Sequence, residues 1–427
     1  MTTHTCDVVV VGGGPAGTTA AALLAEKGRR VVLLEKSAPP RYHIGESLIP
    51  FCYFTLKRLG ILDRLQHGGF SVDKYSVQFV SVGGHLSQPF YFEQHWDHPC
   101  SHTWQVWRQD FDRMLQENAR EKGADIRLGW EAKEILQDGA QTVGVRALDP
   151  SGAEHVFRAP MTVDASGRDA LTVARRGWRV RDPVLNKIAV WTYYKGAIRP
   201  EGKDGGATIV AFLPGRGWFW WIPLPHDVVS IGVVAEKDYL FRDTRELPAI
   251  FDREVKQNAW IEKHLAPGEV CGPFRTTGEF SYRSRYCAAD GLLLCGDAFA
   301  FLDPVFSSGV LLALKGGELA ADAIDLALAD GDVSARRFKD YAETYCYGLE
   351  SMRQLVYAFY DTNFHFKDLF GKYPELHHDL TDCLIGNLHR DYSKLFTRVR
   401  EFASLPEPLS HGRPFTAAEG APCASSS

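Results

Sequence analysis

Three glycines, Gly12, Gly14 and Gly17, stand in GxGxxG spacing directly behind the apolar run Cys6–Val11. Glycine permits a tight turn there and lets backbone amides approach a pyrophosphate at a helix N-terminus. Pro15 and Ala16 lie inside this turn, at the expected start of an alanine-rich helix running to about Lys27. Glu35, followed by Lys36, closes the next apolar run, where a carboxylate accepts from a ribose hydroxyl. The spacing predicts dinucleotide binding. A second buried run, Leu292-Leu293-Leu294, ends in Gly296-Asp297 and offers another hold on the same nucleotide.

The elements needed to position these residues are legible in outline. Cys6–Val11, the helix after it and Arg30–Glu35 read as one βαβ unit. Residues 75–106 and 187–280 are strand-rich, whereas 109–123, 308–330 and 335–402 read as helical. The fold class expected is α/β (α+β): a single discontinuous Rossmann-type FAD-binding domain (1–75, 105–186 and 281–334) with an inserted antiparallel β-sheet substrate domain (76–104 and 187–280). A helical, aromatic C-terminal segment (335–404) either caps a pocket or packs on the core, and 405–427 is expected to be a disordered tail.

Several motifs resemble those of the FAD-dependent monooxygenase superfamily. Gly296-Asp297 is similar to its Gly-Asp motif at the flavin ribityl chain, Asp164-Ala165-Ser166-Gly167-Arg168 to a strand-end segment near the cofactor, and Arg108 to an arginine packed beside the flavin. Within that superfamily, Trp218-Phe219-Trp220-Trp221-Ile222-Pro223 fits the WxWxIP signature of flavin-dependent halogenases. The resemblance implies that Trp218, Trp220, Ile222 and Pro223 wall off the space between flavin and substrate. Phe301–Gly309 resembles the family's FxxPxxSxG segment; Pro304, Gly309 and Val310 would then meet the cofactor, and Ser307, Ser308 and Gly309 would hold chloride or bromide on helix-start amides. Ile44, Gly45, Glu46 and Ser47 lie in His43–Leu48, which is similar to a family segment along the cofactor. Lys74 stands where the family carries its essential lysine, and is expected at a strand edge with its amine in water.

That resemblance implies a reaction. FAD, supplied as FADH2, and O2 would oxidise the halide through a flavin hydroperoxide, and hypohalous acid would pass to Lys74, whose amine delivers the halogen to an aromatic ring. Phe306 stands where tryptophan halogenases carry a glutamate, so the chain resembles the phenol and pyrrole branch, with a substrate free or tethered to a carrier protein. No second GxGxxG unit follows a strand, so a separate NAD(P)H-flavin reductase is expected to supply electrons. A single-component hydroxylase, a geranylgeranyl-reductase-type oxidoreductase and a flavin-binding protein without turnover remain alternatives.

Composition narrows the field further. A net charge of -5 gives no basic footprint for nucleic acid. The nine cysteines are scattered without a CxxC pair, so reduced thiols, no metal and a cytoplasmic setting are expected, with neither a signal peptide nor a membrane span.

Overall fold

The computed structural model describes residues 2–38, 42–215, 217–278, 281–388 and 390–416. The N-terminal βαβ unit forms as expected: strand Val8–Val11, helix α1 (Pro15–Glu26) and strand Val31–Glu35, with Val8 opposite Val31 in parallel register. All four valines of the first strand are buried, which suits a parallel sheet covered on both faces. Among the described residues this sheet has seven strands, in the order Arg413–Pro414, Tyr286–Ala289, Leu292–Leu294, Met161–Asp164, Val8–Val11, Val31–Glu35 and Asp125–Leu128. Helices α1, α2 (Arg108–Glu121) and α3 (Gly309–Ala329) belong to the core built on this sheet.

The edge strand corrects one expectation. Composition predicts a disordered tail from residue 405, yet Gly412 N–H donates to Arg285 O at 2.9 Å and Phe415 N–H to Ala288 O at 2.7 Å. The Phe415 ring packs against Tyr286 and Trp178, an apolar anchor that outweighs the proline-rich composition. Pro414 lacks a donor and is tolerated because its strand is at the edge. The remainder of that tail lies outside the described residues.

A second, larger sheet contains Lys187–Lys195, Val228–Glu236, Gly217–Leu224, Thr208–Leu213 and Ser76–Val80 in that spatial order. Its pairings are antiparallel except for Thr208–Leu213 with Ser76–Val80. The stretch 187–280 is not all strand: Lys237–Leu240, Leu247–Val255 and Ala259–Leu265 are helical. Asn258 starts the last of these by accepting from the Trp260 and Ile261 N–H groups, a capping signal that outweighs the aromatic composition.

The C-terminal segment is helical and includes α4 (Lys339–Tyr360) and α5 (His377–Ile385). Tyr341 and Tyr345 of α4 are core residues whose hydroxyls donate to Leu294 O and Leu312 O, so this part packs on the first sheet's core. Val356, Phe359 and Tyr360, farther along the same helix, join the core of the second sheet. Helix α4 therefore ties the two sheets together. Among the described residues no helix is long and apolar enough to cross a membrane.

Candidate active site

The nucleotide end is built by close backbone approach. A Cβ on Gly12, whose φ is +105°, would lie 2.2 Å from Ala165 O, and one on Gly17 would lie 2.0 Å from Gly12 O. Only glycine fits either place. Gly14 caps α1 with an extended backbone and no side-chain hydrogen bond; Pro15 opens the helix, and its first turn carries no acid. No side chain therefore caps the amides at this end, as a helix start that receives an anion requires. Buried Ala16 stands against Gly296, where a Cβ would come within 2.8 Å. Glu35 accepts from Gly13 N–H at 2.7 Å and from Ser37 N–H at 2.8 Å, bracing the glycine turn. Lys36 is ion-paired with Asp169 at the surface.

Segments far apart in the chain converge beyond this turn. Arg108, at the start of α2, is held by Asp112 (3.0 and 3.2 Å) and donates to Ile44 O and Gly45 O (2.7 and 3.2 Å). A Cβ on Gly45 would lie 2.9 Å from Arg108 Nη1 and 3.7 Å from Val310 Cγ2. Asp297 has its carboxyl pushed up to about 6 by burial, against the opposing charges of Arg168 and Arg108. Asp164 is occupied in bracing its own loop, accepting from Ser166 and Thr172 N–H.

Glu46 and Ser47 continue the same segment inward. Glu46 is 1% exposed; Tyr193 donates its hydroxyl to Oε1 at 2.6 Å, and Oε2 has no hydrogen-bond partner among the described residues. Burial pushes this carboxyl up to about 7. The Tyr193 hydroxyl lies 3.0 Å from that of half-exposed Tyr42, to which Trp191 Nε1 donates at 2.6 Å.

Lys74 departs from expectation. It ends strand Ser71–Lys74, which pairs with Thr103–Val106, but it is 1% exposed rather than in water. Its Nζ donates to Ser47 Oγ and Leu48 O, both at 2.9 Å, and stands 5.7 Å from the Phe92 ring centroid. Ser47 Oγ is also 2.9 Å from Thr208 Oγ1, which accepts from Gln105 Nε2 at 2.8 Å. Packing of this strand pair beneath Ser47 closes water out. Burial lowers the amine from 10.5 to about 7.

The Phe301–Gly309 segment enters α3 through a strained turn. Ser307 has a φ of +54°, Ser308 is 2% exposed and caps α3 without a side-chain bond, and the first turn carries no acid. Nothing lies within 4 Å of a Cβ built on Gly309, so there is open space beside the first residue of α3. Pro304 opens the short helical turn that precedes it. Buried Asp303 accepts from Val305 N–H at 3.1 Å and from Tyr360 at 2.9 Å; Tyr360 in turn accepts from Trp218 Nε1 at 2.8 Å. Burial raises the Asp303 carboxyl to about 6. Trp218 and Trp220, centroids 6.3 Å apart, are two residues apart on Gly217–Leu224; Trp221 packs on Trp260, and Trp220 donates to Ser230 Oγ. Ile222 and Pro223 are buried on this strand.

Thus Gly45, Arg108 and Val310 meet, Ser47 meets Lys74, and Trp218 is linked through Tyr360 to Asp303 of the Phe301–Gly309 segment. Glu35 and Lys36 stand apart, on the glycine turn and the surface. Sequence reasoning misses Tyr193, Thr208, Gln105, Asp303 and Tyr360 as site residues. Of these, only Asp303, before a proline, carries a local signal, that of a turn.

The sequence matches the tryptophan halogenase family over residues 7–110 and 93–384. It is 30% identical over 440 residues to the 1H-pyrrole-2-carbonyl-[peptidyl-carrier protein] chlorinase of Pseudomonas fluorescens, covering 96% of this chain and 97% of that one. It is 32% identical over 303 residues to the corresponding brominase of Pseudoalteromonas luteoviolacea, covering 70% and 72%. The solved flavin-dependent brominase Bmp2 superposes with a TM-score of 0.84 at 28% identity, covering 93% of this chain and 98% of that one. Fold and site together define an FAD-dependent oxidoreductase with a nucleotide-binding βαβ unit at its N-terminus. The chain belongs to the tryptophan halogenase family of flavin-dependent halogenases.

The residues fit FAD. The α1 terminus has no side-chain cap, Gly12 and Gly17 stand where only a bare backbone fits, Glu46 Oε2 is buried without a hydrogen-bond partner among the described residues, and buried Asp297 feels the charges of Arg168 and Arg108; such groups could meet the anionic, hydroxyl and polar parts of the cofactor.

Proposed function

We propose that this enzyme chlorinates or brominates an electron-rich ring, of pyrrole or phenol type, carried on a carrier protein, and that Lys74 delivers the halogen. The observation that carries the proposal is the buried Lys74 amine, held by Ser47 one residue beyond the Gly45–Glu46 stretch that meets Arg108 and Val310. The carrier-bound substrate is supported by the relative aligned over 96% of this chain, named for a pyrrolyl group on a carrier protein, and the pyrrole or phenol type of ring by Phe306 in the Phe301–Gly309 segment.

Gly12, Gly14 and Gly17 with the α1 amides hold the pyrophosphate, and Arg108, Asp297 and the 44–47 segment hold the rest of FAD. Bound reduced FAD, with O2, supplies the two-electron oxidation of halide to hypohalous acid. Amides at Ser308 and Gly309, behind the turn at Ser307, hold the halide. Trp218, Trp220, Ile222 and Pro223 keep the ring away from the flavin. The Lys74 amine attacks the halogen of hypohalous acid, forming an N–halogen bond and releasing water. The ring then bonds the halogen as the N–halogen bond breaks, the nitrogen keeps the bonding pair, and the ring proton ends on that nitrogen, restoring the amine. Reducing equivalents come from a separate NAD(P)H-flavin reductase.

The test combines purified enzyme, FAD, a flavin reductase with NADH, halide, and pyrrole and phenol carboxylates both free and loaded on a carrier protein. Mass spectrometry should detect halogenated product only with halide and reductase present, and chiefly on the carrier. An oxygenated product formed equally without halide would refute halogenation. Rapid flavin reduction by NADPH alone would refute the separate reductase.

A further inference from the structure

Helix α5 presents His378 and Asp382 one turn apart on a single face, and His95 reaches the same point from the turn that follows Phe92–Gln94. The donor atoms of these three side chains all lie within 4.8 Å of one another. His95 Nε2 is 3.0 Å from Asp382 Oδ1, His378 Nε2 is 3.9 Å from Oδ2, and the two imidazole centroids are 4.3 Å apart. We propose that His95, His378 and Asp382 form a binding site for one divalent transition-metal ion of the zinc class.

The donor set suits such an ion. Two imidazoles and a carboxylate are borderline ligands that bind zinc and its neighbours in preference to calcium or magnesium, and three protein ligands leave one position for water. Donors around tetrahedral zinc are about 3.3 Å apart, given bonds of about 2.0 Å. The His95–Asp382 pair is already at that spacing. The remaining adjustment falls on His378, whose side chain is 60% exposed and free to swing. Neutral imidazole is the ligating form. On binding, the ion ligates Nε2 and the ring proton resides on Nδ1.

Arg390 does not compete for the same oxygen. It grips Asp382 through Oδ2 and reaches Asp379 at 2.6 Å, so it braces the carboxylate while Oδ1 faces His95. Outer partners of this kind orient metal-ligating carboxylates. The ion would tie α5 to the turn bearing Phe92, whose ring covers the Lys74 amine. It would therefore brace the Lys74 chamber from outside without touching the reacting groups.

The test uses tag-free, full-length protein stripped with a chelator and titrated with zinc chloride in a calorimeter, and separately with cobalt(II) followed by visible absorption. Wild-type protein should take up one equivalent and give the absorption of a nitrogen- and oxygen-bound cobalt. His378→Ala, a change at an exposed position, should weaken binding at least tenfold and abolish the zinc-induced rise in melting temperature, while Cys271→Ser, at an exposed thiol, should leave both unchanged. No uptake by wild-type protein, equal uptake by His378→Ala, or loss of uptake in Cys271→Ser would each overturn the site.

Discussion

Lys74→Met tests the buried amine because methionine keeps most of the volume and removes only the charge and its donors. At about 1.4 kcal/mol per pH unit, the fall of the amine from 10.5 to about 7 corresponds to roughly 5 kcal/mol spent on burying it in protonated form. The unfolded chain keeps the proton up to 10.5 and the folded chain releases it near 7, so wild-type stability rises with pH between those values. Methionine escapes that cost but forfeits the hydrogen bonds to Ser47 Oγ and Leu48 O, about 2–3 kcal/mol together with the acceptors left behind. At pH 6 the variant should therefore be more stable than wild type by about 2 kcal/mol; the gap should shrink above pH 7, vanish near pH ~8.5 and be reversed by pH ~10. Urea unfolding followed by tryptophan fluorescence at a series of pH values measures this directly. The same variant should bind FAD and consume O2 with reduced flavin, yet form no halogenated product. A variant less stable than wild type by a constant amount at every pH would refute the burial argument. Retained halogenation would remove Lys74 from its proposed role.

Glu46→Gln should act in the opposite pH sense. The folded chain holds the Glu46 proton from 4.5 to about 7 after the unfolded chain has lost it, so wild-type stability falls across that interval by about 3 kcal/mol; the glutamine variant should match wild type near pH 4.5 and exceed it at pH 8, and equal denaturant midpoints at pH 8 would contradict this. Gly14→Val should fold, because φ -82° and ψ -176° are open to valine, but should lose FAD uptake by crowding the α1 amides; a normal flavin spectrum in the purified variant would count against the placement of the nucleotide.

Features that rest on neighbours in the chain are legible in the sequence by itself. The valine run, the glycines and the alanine-rich helix form one βαβ unit because periodicity and turn chemistry act over a few residues, and the helix beginning at Gly309 follows from the same local rules. The aromatic pattern at Trp218–Pro223 falls on one strand for that reason too. Folding back of distant segments decides the rest. Nothing near Lys74 in sequence announces burial; it follows from Ser47, 27 residues earlier, and Leu48 closing over the amine. Tyr193 reaches Glu46 across 147 residues, Tyr360 reaches Asp303 across 57, and His95 meets Asp382 across 287. Phe415 and Pro414 are ordered only because an edge strand and two aromatic rings lie ready to receive them. Local propensity sets dihedral angles and hydrogen bonds within a turn or a strand, whereas solvent exclusion and the proton affinities that follow from it depend on which surfaces the completed fold brings together.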